Sequence, residues 1–151
     1  MPETTLCYIK KGDYYLMMHR ILKPNDYNHN KWIGVGGKIE NETVKECLYR
    51  EVLEETGLVL RNETFFGHVF FHDDNYYEHM YLYVSEDYEG TVIESSEGVL
   101  DYIHKDDILN LELWEGDILF LKKILANEPF TRLDLFYEKG HLIRSEFKDT
   151  L

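Results

Sequence analysis

Positive charge is scarce in this 151-residue chain: 16 Lys and Arg stand against 29 Asp and Glu, a formal net charge of −13. Sequence-independent binding to a nucleic-acid backbone needs clustered Lys and Arg, so a nucleic-acid polymer is excluded as partner. A phosphorylated small molecule is not, because divalent cations bridge carboxylates to phosphates. Cysteine is equally sparse. Cys7 and Cys47 stand far apart, which rules out a disulfide-stapled fold and predicts two small buried apolar residues. No basic and apolar leader opens the chain, and the expected compartment is the reducing cytoplasm. No apolar run approaches the ~20 residues of a membrane span, so no membrane partner is expected. Repeats and low-complexity segments are lacking too. What remains is 44% hydrophobic and 15% aromatic, enough for a packed core in a single domain over 1–151.

Patterning predicts a mixed fold. Residues 4–10 read as a strand, Gly12 and Asp13 as a turn, and 14–20 as a returning strand of sheet core. Residues 21–31, with Pro24 and three Asn, read as a loop. Residues 64–72 and 76–84 form a hairpin about Asp73-Asp74-Asn75, its Tyr-rich arm either a half-buried strand or an aromatic wall. Strand 99–104, a short helix or turn at 105–111, a helix over 114–127 and a last hairpin turning at Lys139-Gly140 complete the chain. His68 and His72 lie four apart in a strand, on one side of it, and read as surface or packed residues rather than a metal pair. Strands mixed with two main helices predict an α/β layered domain.

The stretch "GGKIENETVKECLYREVLEETGL", residues 36–58, carries the chemistry. Thr43 followed by Glu46 fits a capping box, so a helix starts near Val44, and Gly57 stands where a left-handed C-terminal residue belongs. Glu51, Glu54 and Glu55 fall on one flank, which Val44, Cys47 and Leu48 share or adjoin. Like charges at that spacing repel, the more so when partly buried. No lysine occupies a matching position. Arg50 points elsewhere on the wheel, where it can pair with Glu46. The flank is then either a solvated acidic face or a site for a hard divalent cation, Mg²⁺ or Mn²⁺.

The same residues match, position by position, the signature of the Nudix hydrolases: Gly36, Glu42, Arg50-Glu51, Val52, Glu54-Glu55, Gly57 and Leu58. The loop before the helix is one residue shorter than in many members. The resemblance implies a Nudix-type α/β/α sandwich with a mixed sheet and a loop–helix–loop motif. It also implies roles. Glu51, Glu54 and Glu55 would be metal ligands together with the Gly36 carbonyl. Glu51 would activate water, Arg50 would orient a glutamate, and Glu42 would support from further out. Lys38 either faces a phosphate or is a surface lysine. A later loop often adds an acid, and Glu97 is favoured over Glu94 because it directly precedes a strand.

Weaker likenesses extend over most of the chain. "NKWIGVGGKIE" and "LELWEGDILFL" look like segments of the MutT-like members that hydrolyse oxidised purine nucleoside triphosphates. On that likeness Trp114 and Asp117 would hold the base, although Trp114 also reads as helix-start core and Trp32 as packing. Gly116 and Ile33 stand where a second acid and an amide would be, which removes hydrogen-bonding capacity. The expectation is a Mg²⁺-dependent enzyme acting on a small-molecule nucleotide, a nucleoside triphosphate such as 8-oxo-dGTP, releasing monophosphate and pyrophosphate. The alternatives are an ADP-ribose, nucleotide-sugar or dinucleotide pyrophosphatase, or a nucleotide-sensing module without catalysis. The sequence leaves the oligomeric state open.

Overall fold

A nine-residue strand, ETTLCYIKK, forms the axis of the molecule. Its side chains alternate between two cores: Cys7 and Ile9 join one buried cluster, Tyr8 the other. The computed structural model describes residues 1–151. Its elements are β1 (Glu3–Lys11), β2 (Tyr14–His19), β3 (Trp32–Ile33), β4 (Val35–Lys38), α1 (Val44–Thr56), β5 (Val59–Leu60), β6 (Thr64–Asp73), β7 (Tyr76–Ser85), β8 (Tyr88–Glu89), β9 (Val99–His104), a 3-10 turn (Ile108–Asn110), α2 (Glu115–Leu125), β10 (Arg132–Glu138) and β11 (His141–Lys148).

Nine strands make one mixed sheet along the path β11-β10-β6-β7-β1-β2-β3, with β4 on β1 and β9 on β2. β1 runs parallel to β7, and β10 runs parallel to β6. One edge of β1 is shared: Ile9–Lys11 pair with β2, whereas Thr4–Cys7 pair with β4. The β3–β4 segment therefore wedges into the fork where β1 and β2 part. α1 covers one face through Leu48 and Val52, packed with Cys7, Ile9, Leu16 and Val35. α2 covers the other through Phe120, Leu121 and Ile124, packed with Tyr8, Met17, Leu82 and Leu133. This is an α/β/α sandwich, as the sequence leads one to expect.

Both cysteines are free and buried, and burial pushes the Cys7 thiol up to about 12, which leaves it inert. The two histidines of β6 share a face and find partners on neighbouring strands. His68 Nδ1 lies 2.7 Å from His79 Nε2, and His72 Nε2 lies 2.8 Å from an Asp134 oxygen.

Candidate active site

α1 begins and ends as its sequence dictates. The Thr43 hydroxyl accepts from the Glu46 N–H, the Glu46 carboxylate accepts from the Thr43 N–H, and Gly57 closes the helix at φ 80°. Cys47, Leu48, Val52 and Thr56 bury one stripe. The three glutamates divide around its margin. Glu51 is turned inward, its side chain 16% exposed, and Glu54 outward, at 57%. One Glu55 oxygen accepts the Gly36 N–H at 3.0 Å. A Cβ on Gly37 would lie 2.5 Å from the Glu51 carboxylate carbon, so a side chain there would push that carboxylate out of its present position.

Arg50 corrects the helical-wheel reading. It does not pair with Glu46, whose carboxylate is committed to the cap. Its guanidinium reaches back toward the helix start and holds Glu42 with two bonds, at 2.8 and 2.7 Å. It also donates to Glu51 at 2.9 Å, to Glu54 at 3.2 Å and to the Lys38 carbonyl at 3.3 Å. The cation that the flank appeared to lack is thus present, and it fixes one oxygen of Glu51. The bonds from Arg50 hold Glu42 at about 2.

Glu51 and Glu55 behave in the opposite way. Burial raises the Glu51 carboxyl, partly offset by Arg50. Glu55 is pushed up to about 8, first by burial, then by the charge of Glu51, with Glu97 adding to it and the Gly36 N–H opposing it. Glu97 therefore lies within electrostatic reach of Glu55. Its own oxygens, however, are both 2.9 Å from Lys23 Nζ, and one is 3.5 Å from Arg20. Glu94 is exposed. No three acidic, His or Cys side chains converge at coordination distance in this conformation. The donor chemistry still fits a hard divalent cation: oxygen-only ligands, desolvated, with charges that oppose one another. Glu51 and Glu55 would form the inner pair of such a site, and Glu54, at 57% exposed, its rim.

The second half of the site is a pocket between the sheet and α2. Leu6, Ile33, Phe71, Met80 and Phe120 make its apolar wall, and Trp114, Asp117, Asn28 and Glu78 its more polar side. Trp114 stands before the first turn of α2. It stacks on Tyr27 at 5.1 Å, lies under Lys31 Nζ at 5.0 Å and donates its indole N–H to Asn28 at 2.8 Å. Asp117 is only 5% exposed, and burial pushes its carboxyl up to about 8. Lys31 and Glu78 act on it as charges, with no hydrogen bond to its carboxyl. Gly116 has a packing reason. Its N–H donates to the Tyr137 hydroxyl at 2.7 Å, and a Cβ there would lie 2.6 Å from that oxygen. No acid fits at 116. Trp32 stacks on His19 at 4.4 Å, outside the pocket lining.

Sequence reasoning passed over Arg20, Lys23, Asp26, Tyr27 and Asn28, all in or beside the segment read only as a loop. The available signal was its density of Asn, Asp and aromatic residues, since binding residues concentrate on loops.

Comparisons with known proteins point to one family. The family model for the NUDIX domain matches residues 2–124. Over 130 residues the chain is 31% identical to a Danio rerio protein named oxidized purine nucleoside triphosphate hydrolase, covering 84% of this chain and 82% of that one. A Mus musculus protein of the same name is 30% identical over 112 residues, 72% of each chain. The solved structure of a MutT protein from Bacillus halodurans superposes with a TM-score of 0.87 at 24% identity over 98% of both chains, a likeness of fold.

Proposed function

The chain belongs to the Nudix hydrolase family, and on that premise we propose that it is a Mg²⁺-dependent hydrolase of nucleoside triphosphates, releasing monophosphate and pyrophosphate, from a single domain over 1–151. The observation that carries this reading is the pairing of two partly buried, mutually repelling carboxylates, Glu51 and Glu55, with a separate aromatic pocket that holds a buried acid. A bound divalent cation would supply diphosphate neutralisation and a more acidic water. Glu51 has one oxygen fixed by Arg50, and its other oxygen takes the proton of the attacking water. Glu55 and the Gly36 carbonyl, with Glu51, Glu54 and Glu97, would be the oxygen ligands that hold the cation. Lys38, whose carbonyl receives Arg50, would supply an ammonium for a substrate phosphate. Trp114 stacks on the base, and Asp117, held neutral by burial, donates to its edge. Oxidised purine nucleoside triphosphates, for which the two animal relatives are named, are the favoured substrates, with 8-oxo-dGTP the first to test. The two buried free cysteines suit a reducing compartment such as the cytoplasm.

A hydrolysis screen with Mg²⁺ tests this, covering canonical and 8-oxo triphosphates, ADP-ribose, a nucleotide sugar and a dinucleotide, with products identified. Pyrophosphate from triphosphates is expected. Two monophosphates from ADP-ribose would favour the nucleotide-sugar alternative, and binding without turnover would favour a sensing module. On the best nucleotide, Trp114→Ala should raise KM about 5- to 150-fold with kcat little changed, as loss of ~1–3 kcal/mol of stacking predicts. An unchanged KM together with a sharp fall in melting temperature would make Trp114 a core residue instead.

A further inference from the structure

The two halves of the site are joined by one short segment. Trp114 of the pocket donates to the Asn28 side chain at 2.8 Å. The Asn28 N–H donates to Asp26 at 3.1 Å. Asp26 receives Arg20 through two bonds, at 2.7 and 3.2 Å. Arg20 in turn lies 3.5 Å from Glu97. Lys23, on the same segment, holds both Glu97 oxygens. Tyr27, between Asp26 and Asn28, covers Trp114 with its ring and reaches Asp73 across the pocket at 3.5 Å. The neck of the loop is pinned: Arg20 N–H donates to the Lys31 carbonyl, and Asn30 N–H to the Arg20 carbonyl. Asn25 and Asn30 adopt φ of 60° and 66°, a conformation asparagine tolerates better than most residues. The loop therefore has a defined shape and is tied to the protein at both ends of this chain of contacts.

We propose that residues 20–28 are a strap coupling the base pocket to the acid cluster, with Asp26 and Asn28 as positioning residues for the reaction. The proposal rests on the base-pocket and metal readings above. A base that stacks on the Trp114 face now covered by Tyr27 must displace that ring. Tyr27 sits between the two residues that transmit the contacts, so its movement loosens Asn28 from Trp114 and Asp26 from Arg20. Glu97, now held by Arg20 and Lys23, is then released toward Glu55. Occupying the base pocket thus improves the acid cluster for a cation, and an empty pocket keeps Glu97 engaged elsewhere. Coupling of this kind is reciprocal: the cation strengthens base binding by the same factor.

The experiment measures binding rather than turnover. Mn²⁺ affinity of the full chain is read from the electron paramagnetic resonance of free Mn²⁺, with and without saturating 8-oxo-2′-deoxyguanosine. This nucleoside has no phosphate with which to ligate the metal directly. In the wild type the nucleoside should tighten Mn²⁺ binding about 5-fold or more, the low end of measured coupling between sites. Asn28→Ala should reduce the ratio to about 1, with nucleoside binding still measurable and the melting temperature unchanged. Asn28→Asp keeps an acceptor for the indole N–H and should preserve the coupling. Asp26→Asn should weaken it. An equal Mn²⁺ affinity with and without nucleoside in the wild type overturns the strap alone, as does a ratio that survives Asn28→Ala. Failure of the nucleoside to bind overturns the base-pocket reading, failure of Mn²⁺ to bind overturns the metal reading, and either takes the strap with it.

Discussion

Two carboxyls in this molecule, one partly and one fully buried, are pushed to the same place, about 8, by neighbourhoods that have little else in common. Glu55 sits among other acids, with Glu51 and Glu97 acting on it and a backbone N–H already bonded to one oxygen. Asp117 sits among aromatic and aliphatic walls, with no hydrogen bond to its carboxyl. Burial is the first cause in both cases. The second cause separates them: the charge of Glu51 pushes Glu55 further up, whereas the charge of Lys31 pulls Asp117 down. Repulsion between carboxylates is relieved by a cation, so Glu55 is a group waiting for positive charge. In the mostly apolar pocket burial outweighs the pull of Lys31, and there the neutral acid is the stable form, a hydroxyl donor facing a pocket. A raised carboxyl is therefore not one kind of functional residue but two, and its neighbours distinguish them.

The largest effect should follow from breaking the acidic side of this comparison. Glu55→Gln keeps an acceptor for the Gly36 N–H and removes a ligand charge. Loss of several kcal/mol of transition-state stabilisation corresponds to about a thousandfold or more in turnover. The fold should survive, since the substitution also removes repulsion with Glu51 and Glu97. Turnover and thermal midpoint, compared with wild type in the presence and absence of Mg²⁺, decide it. Near-wild-type turnover would remove Glu55 from the metal site.

A smaller effect, on stability, sharpens the comparison. Both groups stand above their ordinary values of 4.5 and 3.8, so the native state keeps protons that the unfolded chain releases. As far as these groups are concerned, stability should then be highest below their unfolded values of 3.8 and 4.5. It should fall as pH rises toward about 8, where the native carboxyls ionise. At ~1.4 kcal/mol per unit the fall is on the order of a few kcal/mol, reduced by whatever water reaches the groups. In urea unfolding at pH 5 to 8.5, Mg²⁺ should flatten the part of the slope that Glu55→Gln removes. The part that Asp117→Asn removes should persist. Mg²⁺ acting equally on both parts would mean that the two sites do not differ as described.

How much of this was legible beforehand depended on the reach of each interaction. The capping box, Gly57 and the main hairpins follow rules that span three or four residues, and the structure has them where the sequence implies. The short strands β3, β4, β5 and β8 have two to four residues each, too few for any periodicity, and were missed. Arg50 was misplaced because a helical wheel locates Cα atoms, whereas a guanidinium ends several bonds away, over the preceding turn. The bond from Trp114 to Asn28 spans 86 positions, and those from Lys23 to Glu97 span 74. Nothing local encodes such pairs. Gly116, read as a lost acid, proves to be a residue that Tyr137 and Leu135 leave no room to enlarge.

The smallest effect concerns the apolar side alone. Asparagine nearly matches a neutral aspartic acid in shape, and it keeps one acceptor oxygen while fixing the donor on nitrogen. If Asp117 works as a neutral acid, Asp117→Asn leaves the fold and kcat nearly intact. It should change two other things. The protonated carboxyl can carry its hydrogen on either oxygen and so suit more than one base edge, whereas the amide cannot exchange its donor and acceptor. The ranking of purine substrates should therefore shift by several-fold in kcat/KM, since polar recognition sites discriminate by leaving the wrong partner unbonded. The wild-type KM should also rise as pH passes about 8, when the carboxyl loses its donor proton, and the variant should show no such rise. Kinetics on canonical and 8-oxo purine triphosphates between pH 7 and 9 measure both. A variant with the wild-type ranking and the wild-type pH profile would remove Asp117 from base recognition and leave Glu55 as the only one of the two carboxyls whose burial serves the reaction.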